Sequence, residues 1–412
     1  MSPPVAPKTL HSLTRPRGFS VASATCGLKP SGKPDLAIIA ADAACPSAGV
    51  FTRNKVKGEP VKVAIKHLRS TGGVLRAVVV NSGCANVATG EQGKRDAVAM
   101  CAAVADGLGC ATREVLPCST GVIGRHLEMD KLLPGIAAAV PRLARGKQAD
   151  DDAARAILTT DLAPKAATRT VMLGKKRITL GGVCKGSGMI APNLATMLAF
   201  ITTDAAVSPD MLKPMLKQAT AASFNRVTVD TDTSTSDSVI VMASGAAGNR
   251  AVTKPGKPYD ALLDALTDLC RDLSYQLVSD GEGASKVFRV NVSGARSVRD
   301  ADKVGRSVAE SPLVKTAVHG ADPNWGRLAM AVGKSGAAVK PEALSITVGG
   351  VCVFKQGMPT KLNAAQQRRL AKAMAGREVQ FGIDLGRGDA GCEWLGCDLS
   401  REYIRINADY TT

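Results

Sequence analysis

The chain has 412 residues, 45% of them hydrophobic and only 3% aromatic, with a formal net charge of +17. That length allows two or three domains around a large core, and a Gly- and Ala-rich, aromatic-poor composition suits tightly packed α/β layers. The basic residues are scattered and stacking aromatics are scarce, which argues against nucleic acid and leaves a solvated basic surface with mild attraction for carboxylate metabolites.

In chain order, Leu36 to Ala40 and Val78 to Val80 are short apolar runs that read as buried strands. Gly49 to Asn54 lies between them. Asn81 to Asn86 then reads as a polar loop at a strand end, either an ordinary turn or a ligand contact. Ala97, Cys101, Val104 and Leu108 share one helical face, and Gly107 and Gly109 end that helix. Leu116 to Gly124 reads as a small-residue turn. Its hydroxyl and N–H groups could converge on one point, as an oxyanion hole requires, although Ser-Thr-Gly turns are common. A helix is predicted over 150–158, with Ala153, Ile157 and Leu158 inward, leading to Thr159-Thr160-Asp161. Residues 169–180 predict a hairpin about Gly174-Lys175-Lys176.

The stretch from Lys185 to Asp204 changes character at Thr196. Gly186, Gly188, Pro192 and Asn193 punctuate a loop before it. Met197 to Ile201 after it is apolar enough for one buried strand. Thr196 is therefore either a plain β-branched strand residue or a nucleophile. The second role requires that Thr196 begin a chain, so that its own α-amine serves as base. That means cutting Ala195–Thr196 from within, and the freed amine, with an ordinary pKa of about 7.7–8.0, suits proton transfer near neutral pH. Lys185 is either a surface charge or a cation for a substrate carboxylate.

Further on, Ser208 caps a helix with Pro209 at its first position. Asp230, Asp232 and Asp237 lie among Thr and Ser without the Gly position and terminal Glu of a calcium loop, so they read as a hydrogen-bonded loop feeding the strand 239–242. Leu262, Leu266, Leu269, Leu273 and Leu277 mark a long core helix over 260–277. Glu282 between two glycines suits close approach to a ligand. Phe288, Val290 and Val292 alternate as a strand. Residues 303–319 read as one helix, followed by a loop from Gly320 to Arg327. A helix capped by Asn363 ends at Gly376, a strand covers 379–383, Gly386-Arg387-Gly388 reads as a tight turn, and the tail 401–412 alternates like a last strand.

Eleven cysteines occur without a CxxC pair, and the four histidines are far apart, which predicts reduced buried thiols and no zinc site. No apolar run of ~18 residues predicts a membrane span. The residues before Gly18, with His11, Arg15 and Arg17, show neither a signal-peptide core nor a transit helix, so a cytoplasmic protein is expected.

Four blocks together resemble one family. Asn81-Ser82-Gly83-Cys84-Ala85-Asn86, Lys185 to Met197, Phe224 to Asp237, and Asp322-Pro323-Asn324-Trp325-Gly326-Arg327 are similar, in that order, to the ornithine acetyltransferases, the glutamate N-acetyltransferases of arginine biosynthesis. The similarity runs from about Gly18 to Thr412. Cys84 departs from it, standing where a polar residue is expected. The resemblance implies an α/β fold, shared with the β-peptidyl aminopeptidases, in which sheets pack between helix layers. It implies self-cleavage at Ala195–Thr196 into chains 1–195 and 196–412, which stay together as a heterotetramer of two copies each. It further implies a ping-pong transfer of acetyl from N2-acetyl-L-ornithine to L-glutamate through an ester on Thr196. Thr120 and Gly121 would hold the oxyanion, and Thr159, Lys185, Glu282, Asn407 and Thr412 would contact substrate. No metal or organic cofactor is called for, although some members of the family also use acetyl-CoA as a co-substrate. His319 is left without a role. The same nucleophile could instead pass its acyl group to water, as a self-cleaving aminopeptidase or amidase does. An uncleaved structural relative and a basic nucleic-acid binder are the remaining alternatives.

Overall fold

The computed structural model describes residues 11–191 and 197–409. Its strands are β1 (Phe19–Ala24), β2 (Leu36–Phe51), β3 (Val74–Cys84), β4 (Val115–Val122), β5 (Lys165–Leu173), β6 (Lys176–Lys185), β7 (Leu198–Thr203), β8 (Val227–Thr228), β9 (Ser238–Ala243), β10 (Val287–Ala295), β11 (Ser345–Val348), β12 (Val351–Lys355), β13 (Met358–Pro359), β14 (Glu378–Asp384) and β15 (Ala390–Cys397). The helices are α1 (Glu59–Ser70), α2 (Gly90–Leu108), α3 (Met129–Ala139), α4 (Lys147–Ala156), α5 (Pro209–Ala221), α6 (Lys257–Ser279), α7 (Val298–Ala309), α8 (Pro312–His319), α9 (Trp325–Gly333), α10 (Ala364–Ala375) and α11 (Arg401–Asp409).

The first sheet runs β4-β3-β2-β9-β7-β6-β5, with β1 also paired to β2. The register of the long strand β2 against β3 shifts between Ala40 and Cys45, and the sheet folds over there. Its two halves then face each other across one shared core, where Ile39, Val80 and Cys118 of one half meet Val183, Phe200 and Ile240 of the other. Alternation along each strand sends the opposite residues outward. Ile38 and Val79 pack against Met100 and Val104 of α2 and Ile136 of α3. Ile201 and Val241 pack against Leu216 of α5 and Leu266, Leu269 and Leu273 of α6. The result is four layers, helices outside and two half-sheets inside, as the resemblance implied.

The second sheet, β13-β12-β11-β14-β10-β15-β8, buries one face under α7 to α10 around Phe288, Val304, Leu328, Phe381 and Trp394. Val287, Leu395 and Cys397 join the α6 core of the first unit. This places the turn after α6 at the seam between the two units. Among the described residues no helix is long and apolar enough to cross a membrane, and all eleven cysteines are free thiols.

The hairpin, α6, and the capping box of Asn363 with Gln366 match the sequence expectations. Several elements differ. Asn81 to Cys84 and Thr120-Gly121 lie on strands, because β3 and β4 pair in parallel with Ser82 beside Thr120 and Gly83 beside Gly121; the ladder overrides local turn preference. Gly107 is inside α2, and Gly109 alone ends it with φ +63°. Ser208 precedes α5 without a side-chain capping bond. Residues 303–319 belong to two helices, since Ser311 caps a new one at Pro312. Asn324 likewise caps α9, accepting from the Arg327 N–H at 3.2 Å, so the predicted loop ends in a helix. The tail is a helix through Asp409, started by the Tyr403 N–H on Ser400 Oγ at 3.2 Å.

Candidate active site

Strand geometry makes the site. Thr120 continues the inward series of Leu116 and Cys118 on β4, and Lys185 continues that of Val183 on β6. Their side chains meet in the space between the half-sheets, where Lys185 Nζ donates to Thr120 Oγ1 at 3.3 Å. It also donates to Thr159 Oγ1 at 2.8 Å, from the turn that follows α4. With its oxygen accepting from Lys185, the Thr120 hydroxyl keeps its own proton to donate, as an oxyanion hole requires. Next to it Gly121 has φ +126°, and a Cβ there would collide with the Gly83 carbonyl carbon. Only glycine fits where β4 runs this close to β3.

Lys185 is 2% exposed. Burial pulls its pKa down, while Asp161, with Oδ2 at 3.9 Å, opposes that. Asp161 Oδ1 accepts from Lys165 Nζ at 2.6 Å and from the Gly186 N–H at 2.6 Å. Burial disfavours the Asp161 carboxylate, but Lys165 and Lys185 outweigh it and hold the carboxyl well below the usual range. Lys165 also bonds Asp280 Oδ2 at 2.5 Å, at the end of α6. Lys29 stands near the same group, with its ammonium on the Pro34 carbonyl at 2.7 Å, and burial pushes it down to about 8.

The turn after α6 supplies the opposite wall. Ser187 Oγ donates to the Asp280 carbonyl at 2.6 Å, and the Glu282 N–H donates back to the Ser187 carbonyl at 3.0 Å. The Glu282 carboxylate lies against Gly188, where a Cβ would strike it. Asn407 Nδ2 of α11 donates to Glu282 Oε2 at 2.9 Å. Helix α11 fits there because Gly283 has no side chain to block Tyr403 and Ser400. The Gly-Glu-Gly spacing thus serves close approach by another part of the chain, and Asn407 joins the site from a helix rather than from a strand.

Two carboxylates bind the backbone on either side of the Thr196 segment. Asp230 accepts the N–H groups of Met189 at 2.6 Å and Ile190 at 2.8 Å, and burial raises its pKa to about 6. Asp237 accepts the Met197 N–H at 2.9 Å, and burial raises its carboxyl well above the ordinary value. Both therefore act as structural acceptors in the loop predicted for them. The His319 ring pairs through Nδ1 with Asp398 at 2.8 Å, on the same carboxylate oxygen that accepts from the Ser285 hydroxyl. Cys84 Sγ donates to the Arg125 carbonyl at 3.3 Å, so the thiol fills the place of a polar side chain.

The structure therefore brings Thr120, Gly121, Thr159 and Lys185 together on one side and Glu282 with Asn407 on the other. Ala195, Thr196 and Thr412 lie outside the described residues. Sequence reading missed the charged chain Asp161, Lys165, Asp280. Its one signal is the four-residue spacing of Asp161 and Lys165, and nothing in the sequence marks either as buried.

A family model described as the ArgJ family matches residues 20–412. The chain belongs to the ArgJ family. It is an acyltransferase of arginine biosynthesis. The arginine biosynthesis bifunctional protein ArgJ of Deinococcus radiodurans is 46% identical over 403 residues, 98% of this chain and 99% of its own. That of Nitratidesulfovibrio vulgaris is 45% identical over 397 residues, 96% and 98%. The crystal structure of Mycobacterium tuberculosis ornithine acetyltransferase complexed with ornithine is 40% identical; the match covers 45% of this chain and 97% of that one, with a TM-score of 0.40.

Proposed function

We propose that this ArgJ-family acyltransferase moves acetyl from N2-acetyl-L-ornithine to L-glutamate in two half-reactions through Thr196. The observation that carries the reading is the meeting of Lys185, Thr120 and Thr159 at the β4 and β6 strand ends, in a chain that matches ArgJ relatives along nearly its whole length.

In the first step the chain cuts itself. The Thr196 hydroxyl attacks the Ala195 carbonyl, the amide becomes an ester, and water releases chains 1–195 and 196–412. The new α-amine of Thr196 then takes the hydroxyl proton as the oxygen attacks the acetyl carbonyl of acetylornithine. The Thr120 hydroxyl and the Gly121 N–H hold the tetrahedral oxyanion. Ornithine leaves with the proton, glutamate enters, and its free amine attacks the acetyl ester to give N-acetyl-L-glutamate. Lys185 draws a substrate carboxylate, Thr159 and Thr412 orient it, and Glu282 with Asn407 faces the amino end of the substrate. No step requires a metal or an organic cofactor. Whether acetyl-CoA also loads Thr196 is decided by the donor assay below.

Both cut chains contribute to the same cores, Ile178 and Leu180 beside Ile201 and Val241 for example, which supports a complex that survives cleavage. Two copies of each chain in the cytoplasm is the expected assembly.

The test is intact mass of the purified protein beside Thr196→Ala, followed by acetyl-transfer assays on the cleaved form with acetylornithine and acetyl-CoA. Cleavage at Ala195–Thr196 in wild type only, with acetyl reaching glutamate faster than water, is expected. A wild-type chain that folds and stays whole would remove the base from this mechanism.

A further inference from the structure

We propose that Asp161 is a positioning residue of this site: set in place by Lys165 and the Gly186 N–H, its carboxylate fixes the Lys185 ammonium between Thr120 and Thr159. The inference rests on the reading of Lys185 as the cation that meets a substrate carboxylate.

Four buried charges alternate in space: Lys185, Asp161, Lys165 and Asp280. None of their side chains is more than 2% exposed. Charges this deep persist only when each is compensated. Lys165 has two carboxylate partners, Asp161 at 2.6 Å and Asp280 at 2.5 Å. For Lys185, Asp161 is the one carboxylate within 4 Å among the described residues. Asp161 is therefore shared between two cations, and only Lys185 depends on it alone. Its Oδ2 also accepts the Thr159 N–H at 3.1 Å. One carboxylate thus orders both Lys185 and the Thr159 hydroxyl that Lys185 bonds.

The distances explain why this arrangement suits binding. An ammonium has three N–H donors. Among the described residues two go to Thr120 and Thr159. Asp161 Oδ2, at 3.9 Å, is beyond a normal hydrogen bond, so it stabilises the charge without consuming the third donor. Among the described residues no acceptor takes that donor, and it can serve an incoming carboxylate. The other charged groups facing Lys185 are Lys165, Lys29, Asp237 and Glu282. Lys165 and Lys29 oppose the Lys185 charge, Asp237 and Glu282 favour it from further off, and Asp161 is the nearest carboxylate among the described residues.

The experiment measures steady-state acetyl transfer on cleaved enzyme across the alkaline range for wild type, Asp161→Asn, Lys165→Met and Lys185→Met. For D161N, KM for L-glutamate should rise about tenfold or more. The alkaline limb of kcat/KM should move down by about one pH unit, the usual effect of one near charge. For K165M the limb should move up, because a cation that repels Lys185 is gone. A purely structural role for Asp161 would lower activity without moving the D161N limb. If K185M loses glutamate affinity while D161N and K165M keep the wild-type limb, Asp161 has no positioning role and the reading of Lys185 stands. If K185M binds glutamate as wild type does, the Lys185 reading falls and this inference with it. Should D161N yield only unfolded protein, Asp161→Glu decides, since it keeps the charge and moves it: a raised KM for L-glutamate with a displaced alkaline limb supports the role, and wild-type values for both overturn it.

Discussion

Replacing Thr120 by Val removes one hydroxyl from the space between the half-sheets and changes little else. The side chain is 3% exposed, so the new methyl stays out of water. Lys185 loses its 3.3 Å contact to Oγ1 but retains Thr159 at 2.8 Å and Asp161. One charge-assisted bond is worth about 1.5–3 kcal/mol, and this one is long, so folding stability should fall by only about 1–2 kcal/mol. The reaction should suffer more. Loss of one oxyanion donor raises a barrier by about 2.7–4 kcal/mol, a drop in kcat of about 100- to 1000-fold. In the proposed mechanism the same donor serves the oxyanion of self-cleavage and that of acetyl transfer, so both rates should fall by a similar factor. The assay pairs a time course of chain cleavage by mass with saturating acetyl transfer, normalised to cleaved protein. A T120V enzyme within threefold of wild type in both would refute the assignment. A slowed cleavage with normal transfer would show that the two oxyanions lie in different places.

Other outcomes follow from the same geometry. Gly121→Ala should accumulate poorly or denature at markedly lower denaturant, because a Cβ at φ +126° meets the Gly83 backbone; soluble yield and an unfolding midpoint check this. Asp230 has a folded pKa of about 6 against about 3.9 unfolded. Between those values the native state holds the proton and the unfolded chain does not, so the Asp230 contribution to stability is greatest below pH ~4 and declines as pH rises to ~6. The loss is about 3 kcal/mol at ~1.4 kcal/mol per unit, and Asp230→Asn should flatten that part of a stability–pH curve. Glu282→Gln should raise KM for acetylornithine more than for glutamate, since it removes a negative charge opposite the substrate amine. Asn407→Ala should have a smaller effect in the same direction, as it loses only the 2.9 Å bond that orients Glu282.

Much of this was legible in the residues because local pattern and tertiary context agreed. The leucines of α6 repeat at helical spacing and all face a core. Glycine, lysine and lysine at 174–176 turn a hairpin whose strands pair without a break. Where they disagreed, a distant partner decided. Ser119, Thr120 and Gly121 have the composition of a turn, yet the neighbouring strand β3 extends them into a ladder. Ile404 and Ile406 alternate with Arg405 and Asn407 well enough for a strand, yet Ser400 starts a helix and Gly283 leaves room for it. Asp161 and Lys165 are four residues apart in a stretch that reads as an exposed turn, yet both side chains are buried and Lys165 meets Asp280 at the end of α6. Family likeness points to Thr120, Lys185 and Glu282, but their convergence depends on the fold of β2, which no local signal announces.

In the first sheet β7 lies between β6 and β9, paired to both along its whole length. A new terminus just before such a strand exposes no unpaired edge, the feature that invites one chain to pair with another. Cleavage at Ala195–Thr196, as proposed, would also leave the two products interleaved, each supplying strands that flank the other's. Separating them means dismantling the sheet, so parting and denaturation become one event. Subunits made at different times should not trade halves, and a mixture of isotopically labelled and unlabelled enzyme should keep its original pairings until it is unfolded.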